Sequence, residues 1–167
     1  MAVVNRKSGV LTNRDASPRV ANAGGLAGGK VYGFAGTLET VNGDDIASVY
    51  RFGSVPSNAY NVKVELWADD VGTTLIADLG LYRTTADGGA VVDADFFGST
   101  IDLKTAAIAG TRVEHESGVY DIDDVEKPLW SAVGATSDPG CMYDVAFTAT
   151  AASDAAATLS LKVSYQL

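Results

Sequence analysis

The pattern of apolar and polar positions changes character near residue 30. Beyond that point apolar residues recur at every second position, in short runs separated by turn residues. Val62, Val64 and Leu66 alternate with Lys63 and Glu65, and Leu75, Ala77, Leu79 and Leu81 alternate with Ile76, Asp78, Gly80 and Tyr82. The two clearest runs lie near the C-terminal end. In one, Cys141, Tyr143, Val145 and Phe147 share a face opposite Met142, Asp144 and Thr148. In the other, Leu159, Leu161, Val163, Tyr165 and Leu167 oppose Ser160, Lys162, Ser164 and Gln166. A period of two with one apolar face is what a half-buried antiparallel strand requires. Further strands are expected over residues 31–38 and 46–52 and from Ala90 onward. Asn42-Gly43-Asp44-Asp45 and Asp87-Gly88-Gly89 serve as turns, because Asn, Asp and Gly tolerate positive φ. Ala152-Ser153-Asp154 reads as a hairpin joining the last two strands.

Two segments depart from the alternation. Residues 99–109, with Leu103, Ala106 and Ala107, predict a helical turn or two. Residues 123–133 carry acidic residues first and then Val125, Leu129 and Val133 at helical spacing, with Pro128 suited to a first helical position. The first thirty residues have no periodicity. Clustered glycines at Gly24-Gly25 and Gly28-Gly29, together with Pro18, predict an extended arm with a flexible joint. The expectation is an all-β protein, a jelly-roll-like antiparallel sandwich over residues 31–167. An extended N-terminal arm over 1–30 and one or two short helical segments complete it.

Charge follows the same division. Arg6, Lys7, Arg14, Arg19 and Lys30 face only Asp15 in the arm, a net +4, whereas the remainder carries −13, giving −9 for the chain. An acidic body is repelled by phosphate backbones, so no nucleic acid is expected as a partner. No apolar run approaches the roughly 20 residues that span a bilayer, and the first residues lack the apolar core of a secretory signal, so no membrane partner is expected either. One cysteine cannot form an internal disulfide.

The motifs that could carry chemistry fail on context. Gly24-x4-Gly29-Lys30 matches the front of a phosphate-binding loop. Such a loop follows a buried strand, opens a helix and continues with Ser or Thr, whereas here Val31 follows and a strand begins. Asp121, Asp123, Asp124 and Glu126 form the densest carboxylate cluster and could hold Ca²⁺. The calcium-loop spacing is broken, however, by Glu126 at position six and Ala132 at position twelve. A solvated helix start explains the cluster better, so no metal and no cofactor are expected. His115, between Glu114 and Glu116, is the only histidine; in a strand its carboxylate neighbours point to the other face. Cys141 sits in an apolar face as a packing residue. With no nucleophile, base and orienting group in a recognisable pattern, no enzyme is expected. Trp67, Trp130, Tyr50, Phe96 and Phe97 either fill a core or line a cleft. Two successive phenylalanines on an extended chain point to opposite faces, which would leave one exposed for self-association.

Several strings carry a family likeness: Thr12-Asn13-Arg14-Asp15, Tyr50-Arg51-Phe52 with Val55-Pro56, and Asp78-Leu79-Gly80-Leu81-Tyr82. The run from Asp87 to Phe97 and Tyr143-Asp144-Val145-Ala146-Phe147 belong with them. Together, from about Leu11 to the C-terminus, they resemble the capsid cement, or head-decoration, proteins of tailed bacteriophages. The resemblance implies a structural virion protein, made in the bacterial cytoplasm and bound to the outer surface of the capsid. There it would bridge major capsid protein subunits and associate with its own copies as dimers or trimers. On that reading Arg6, Lys7, Arg14 and Arg19 form a capsid-binding arm, and Phe96 and Phe97 are the self-association residues. The alternative is a ligand- or glycan-binding sandwich from a phage fibre or attachment structure, with an exposed Trp or Tyr near Asp or Asn.

Overall fold

The computed structural model describes residues 7–22 and 29–167. Eight strands follow one another as β1 (Val31–Glu39), β2 (Val49–Pro56), β3 (Tyr60–Ala68), β4 (Ile76–Arg83), β5 (Val91–Asp102), β6 (Ile108–Arg112), β7 (Met142–Ala149) and β8 (Thr158–Gln166). They form two four-stranded antiparallel sheets, ordered β1-β8-β3-β6 and β2-β7-β4-β5. The pairs β1 with β8, β2 with β7, β3 with β6 and β4 with β5 are those of one long antiparallel ribbon rolled over on itself. That is the topology of a jelly roll, and the expected all-β sandwich is the fold found.

The alternating runs place their apolar faces between the sheets. Val62, Val64 and Leu66 on β3 and Leu159, Leu161 and Val163 on β8 meet Leu79 and Leu81 on β4 and Tyr143, Val145 and Phe147 on β7, all of them buried. Lys63, Ser160 and Lys162 lie on the outer face of the first sheet, where Lys162 pairs with Glu65 at 3.0 Å. Gly80 on β4 faces the opposite outer side, where β5 crosses so closely that a Cβ there would lie 2.1 Å from the Asp93 carbonyl oxygen. Only glycine fits that crossing.

Four expectations are corrected. β7 and β8 do not form a hairpin, because β7 pairs with β2 and β4 in one sheet and β8 with β1 and β3 in the other. Residues 99–109 are not helical: β5 runs on to Asp102 because Ile101 and Leu103, two apart, both reach the core. The Asp102 carboxylate then turns the chain by accepting from the Lys104 and Thr105 amides at 2.9 and 3.1 Å. β2 begins at Val49 rather than Ile46, since residues 41–48 form a loop held by Asp44, which accepts from the Val41 amide and the Tyr50 hydroxyl. The segment over 123–133 splits into one 3₁₀ turn, Ile122–Asp124, and a single helical turn α2 (Leu129–Ala132), with Pro128 just before it. Leu129 is the buried residue that anchors α2.

The long loops are clamped by carboxylates. Asp154 accepts from the Thr73 hydroxyl at 2.5 Å and from the Thr73 amide at 2.9 Å, tying residues 72–74 to residues 152–155. The Thr73 hydroxyl and amide hold the Asp154 pKa down to about 2. A folded-state pKa below the unfolded value of about 3.9 contributes stability that is present above that value and is lost as pH falls through the folded pKa. In thermal scans from about pH 5 to pH 2, the stability advantage of the wild type over Asp154→Asn should therefore shrink below about pH 4. A gap that stays constant across that range would show that the clamp does not depend on the carboxylate charge.

Candidate functional site

In the arm, residues 7–22 fold back on themselves instead of running extended. A short helix, α1 (Gly9–Asp15), starts at Ser8, whose hydroxyl accepts from the Leu11 amide at 3.4 Å, and Thr12 donates its hydroxyl proton to the Ser8 carbonyl at 2.9 Å. Asn13 then closes the unit: its carbonyl accepts from the Val20 amide at 3.1 Å and its side chain donates to Asn22 at 2.9 Å. A cap three residues before the first backbone donor it satisfies is a local device, which is why this helix forms without an apolar face. Lys7 lies 2.8 Å and Arg14 2.7 Å from Asp15, so two of the arm's cations converge on its one carboxylate. The Arg14 and Lys7 hydrogen bonds hold the Asp15 pKa down to about 2. Arg19 is exposed, and Arg6 and most of the phosphate-loop-like segment (Gly24–Gly28) lie outside the described residues. Lys30 leads directly into β1, so a strand follows the glycine-rich stretch where a phosphate loop would open a helix.

Phe96 and Phe97 are both fully buried, and in the folded chain neither ring is available for a subunit contact. Their strand does not alternate there. Between Leu79, opposite Gly98, and Leu81, opposite Asp93, β5 carries three more residues than β4, and this bulge turns both rings inward. The rings meet edge to face at 5.0 Å, and Tyr120 packs on both, at 5.3 and 5.5 Å. The loop over 116–120 secures the bulge: the Ser117 hydroxyl and the Tyr120 amide donate to the Phe96 carbonyl, and the Glu116 amide donates to that of Phe97. Burial pushes the Tyr120 phenol up to about 12.

The remaining candidates resolve into structural roles. His115 lies in a loop, where its Nδ1 is 2.8 Å from the Tyr120 carbonyl and its ring stacks on that of Tyr120 at 5.5 Å. Glu114 is buried, accepts from the Val64 amide at 3.3 Å and pairs with Arg112. Arg112, Glu114, His115, Glu116 and Ile122 line an open hollow of about 490 Å³. Asp121 caps the 3₁₀ turn in a reciprocal bond with Asp124, which also pairs with Lys127 at 2.6 Å. Among the described residues no group of three or more His, Cys, Asp or Glu side chains could hold a metal ion. Cys141 is half-buried just before β7, its Sγ 2.6 Å from Arg83 Nη1. Trp67, 37% exposed, sits on the outer face of the first sheet beside Asp69, in a hollow of about 210 Å³. Tyr50 is buried and Trp130 half-buried.

Three of the strings that carry the family likeness, far apart in sequence, meet through Arg51, Tyr82 and Asp144 on the outer face of the β2-β7-β4-β5 sheet. Arg51 on β2 reaches across β7 and donates to Asp144 at 2.8 Å, to the Arg83 carbonyl at 2.9 Å and to the Gly89 carbonyl at 2.9 Å. Its guanidinium lies 5.0 Å from the centre of the Tyr82 ring. Ser54 donates to the other Asp144 oxygen at 2.6 Å, and the Tyr82 hydroxyl meets Thr148. One arginine thus joins four segments, β2, β4, the β4–β5 turn and β7. Sequence spacing gave no sign of this junction, because the contacts span between 32 and 93 residues.

Among the described residues no helix is long and apolar enough to cross a membrane. No family model matches the chain, and no curated protein matches its sequence. Two solved structures match in the structural comparison. One chain of the cyanophage Pam1 capsid asymmetric unit is 19% identical, with 100% of this chain and 99% of that chain covered at a TM-score of 0.54. One chain of the acidic stable capsid structure of the Helicobacter pylori bacteriophage KHP30 is 14% identical, with 83% and 92% covered at a TM-score of 0.40. The first likeness runs the full length of both chains, and what it establishes is a shared fold.

Proposed function

We propose that this chain is a structural, non-enzymatic virion protein of the cement or decoration type, which binds the outside of a phage head and bridges major capsid protein subunits. The observation that carries the reading is the end-to-end likeness to a chain of the cyanophage Pam1 capsid, arm included. Two physical features support it. The body is strongly acidic, which keeps a lattice-binding protein soluble before it docks. The arm sequence ahead of β1 is cationic, and many weak arm contacts repeated over a shell add avidity. The capsid-binding residues proposed are Arg6, Lys7, Arg14 and Arg19. Lys7 and Arg14 are drawn to Asp15, whereas Arg19 is exposed and is not paired with that carboxylate.

The test is head decoration in vitro. Deleting residues 1–25 should abolish binding to expanded, undecorated heads while the body keeps its unfolding transition. Saturation of the heads by the truncated protein at wild-type affinity would reject the arm as the docking element. Failure of the full-length protein to bind any head would reject the cement reading itself.

A further inference from the structure

The outer face of the first sheet carries a tryptophan whose position is built by a bulge. Trp67 is exposed on β3 between Leu66 and Ala68, both of which are buried. Leu66 pairs with Thr111 on β6 and Trp67 with Ala109, so Gly110 is an extra residue in β6. Gly110 has φ +68°, and a Cβ there would lie 3.2 Å from the indole Cζ2 and 3.4 Å from Cε2. A glycine in the left-handed region is what lets β6 close against the ring. The indole is thus seated on backbone, which reduces the ordering a ligand would have to impose on it.

Polar groups are fixed around the ring. On the β8 side Ser160 pairs with Trp67, and Thr37 of β1 pairs with Ser160; the two hydroxyls bond at 2.8 Å. Asp69 exchanges bonds with Thr158: its amide donates to the Thr158 carbonyl at 3.0 Å, and its Oδ2 accepts from the Thr158 amide at 3.2 Å. Trp67, Asp69, Ala107, Thr158 and Ser160 line the hollow of about 210 Å³. That is below the roughly 300 Å³ at which sites for drug-sized ligands begin.

We infer that this hollow is a carbohydrate subsite that takes one neutral hexopyranose ring, stacked by its C–H face on Trp67. An aromatic plate with a few fixed polar groups at its edge suits a ring with an apolar face and a polar periphery. Thr158, Ser160 and Asp69 supply the partners for the sugar hydroxyls. Asp69 is the only charged residue lining the hollow among the described residues, and Glu65 and Lys162 nearby pair with each other at 3.0 Å. An anionic sugar therefore meets repulsion there. A protein side chain fits less well. A hot spot needs a rim that excludes water, whereas Ala107, Ala109 and Gly110 on the β6 side are small and exposed. Quaternary ammonium groups are held by cages of several aromatic rings, and Trp67 is the only aromatic residue lining this hollow among the described residues. One sugar ring in one shallow hollow binds with a Kd of about a millimolar, and an array of copies adds avidity. The site does not depend on the cement reading.

The experiment is a titration of the isotope-labelled full chain, followed at the indole N–H resonance of Trp67, which Trp67→Phe identifies. The probes are the methyl glycosides of glucose, galactose, mannose and N-acetylglucosamine, with N-acetylneuraminate and tetramethylammonium chloride for comparison. At least one neutral glycoside should shift that resonance saturably at about millimolar concentration, and N-acetylneuraminate should not. Trp67→Ala should keep its unfolding transition and weaken sugar binding about tenfold or more, read by saturation transfer to the sugar protons. Asp69→Asn, which keeps an acceptor for the Thr158 amide, should weaken it about two- to fivefold. No shift with any neutral glycoside overturns the proposal. So does a shift with tetramethylammonium alone, which would make the hollow a cation site, or undiminished sugar binding by Trp67→Ala. Head binding is scored separately, so failure of the sugar site leaves the cement reading standing, and the reverse holds too.

Discussion

Phe97→Ala should destabilise the fold by about 3–5 kcal/mol, the cost of removing a large ring from a fully packed site. In a chain of this size that corresponds to a fall of about 6–20 °C in Tm. The prediction separates two roles for the residue. A ring at a subunit contact, lost to Ala, leaves the isolated fold intact and changes the oligomeric state. A ring buried against Phe96 and Tyr120 does the reverse. Differential scanning calorimetry at two protein concentrations distinguishes them. A large, concentration-independent fall in Tm is the expected result, and an unchanged Tm would return Phe97 to the surface. Because the bulge in β5 depends on the packing of both rings, Phe96→Ala should behave in the same way, and the double variant should lose less than the sum of the two.

Arg51→Ala should cost about 2–3 kcal/mol, the range for losing charge-assisted hydrogen bonds to a partly buried carboxylate. The loss has two parts. Asp144, nine-tenths buried, keeps only Ser54 as a hydrogen-bond partner, and the Arg83 and Gly89 carbonyls lose theirs. Arg51→Lys should recover little of it. A single ammonium cannot span three acceptors on different segments while stacking on Tyr82, as the planar guanidinium does. Denaturant titration reads the difference directly, and full recovery by lysine would reduce the junction to a simple charge pair. The double variant Arg51→Ala with Asp144→Ala should be less destabilised than Arg51→Ala alone, since no unpaired carboxylate remains.

These two sites also mark where the sequence is legible and where it is not. β3 and β8 were readable because each buries one face only, and β4 and β7 because polar residues such as Asp78, Asp144 and Thr148 mark their outer face even though much of it is covered. β5 was not readable beyond its start. A bulge puts Phe96 and Phe97 on the same side, and that depends on Tyr120 and on hydrogen bonds from the loop over 116–120. α1 was missed for the opposite reason: it is held by the Ser8 cap and Asn13, with no apolar face to give it a period. The arm's cationic character was visible at once. That Asp15 draws in Lys7 and Arg14 but not Arg19 required their positions in space.

The order of apolar and polar residues determined the class of fold, because a period of two with one buried face has few solutions other than stacked antiparallel sheets. It also determined the division of charge between arm and body, which is a property of composition alone. Which strands pair was decided only by tertiary structure. Rolling the ribbon sets β1 against β8, separated by more than a hundred residues, and no local spacing carries that information. The same rolling joins Arg51 to Asp144, buries the two phenylalanines and sets β1 at the edge of its sheet. Edges, junctions and buried bulges arise from how strands meet, and strands meet through long-range packing.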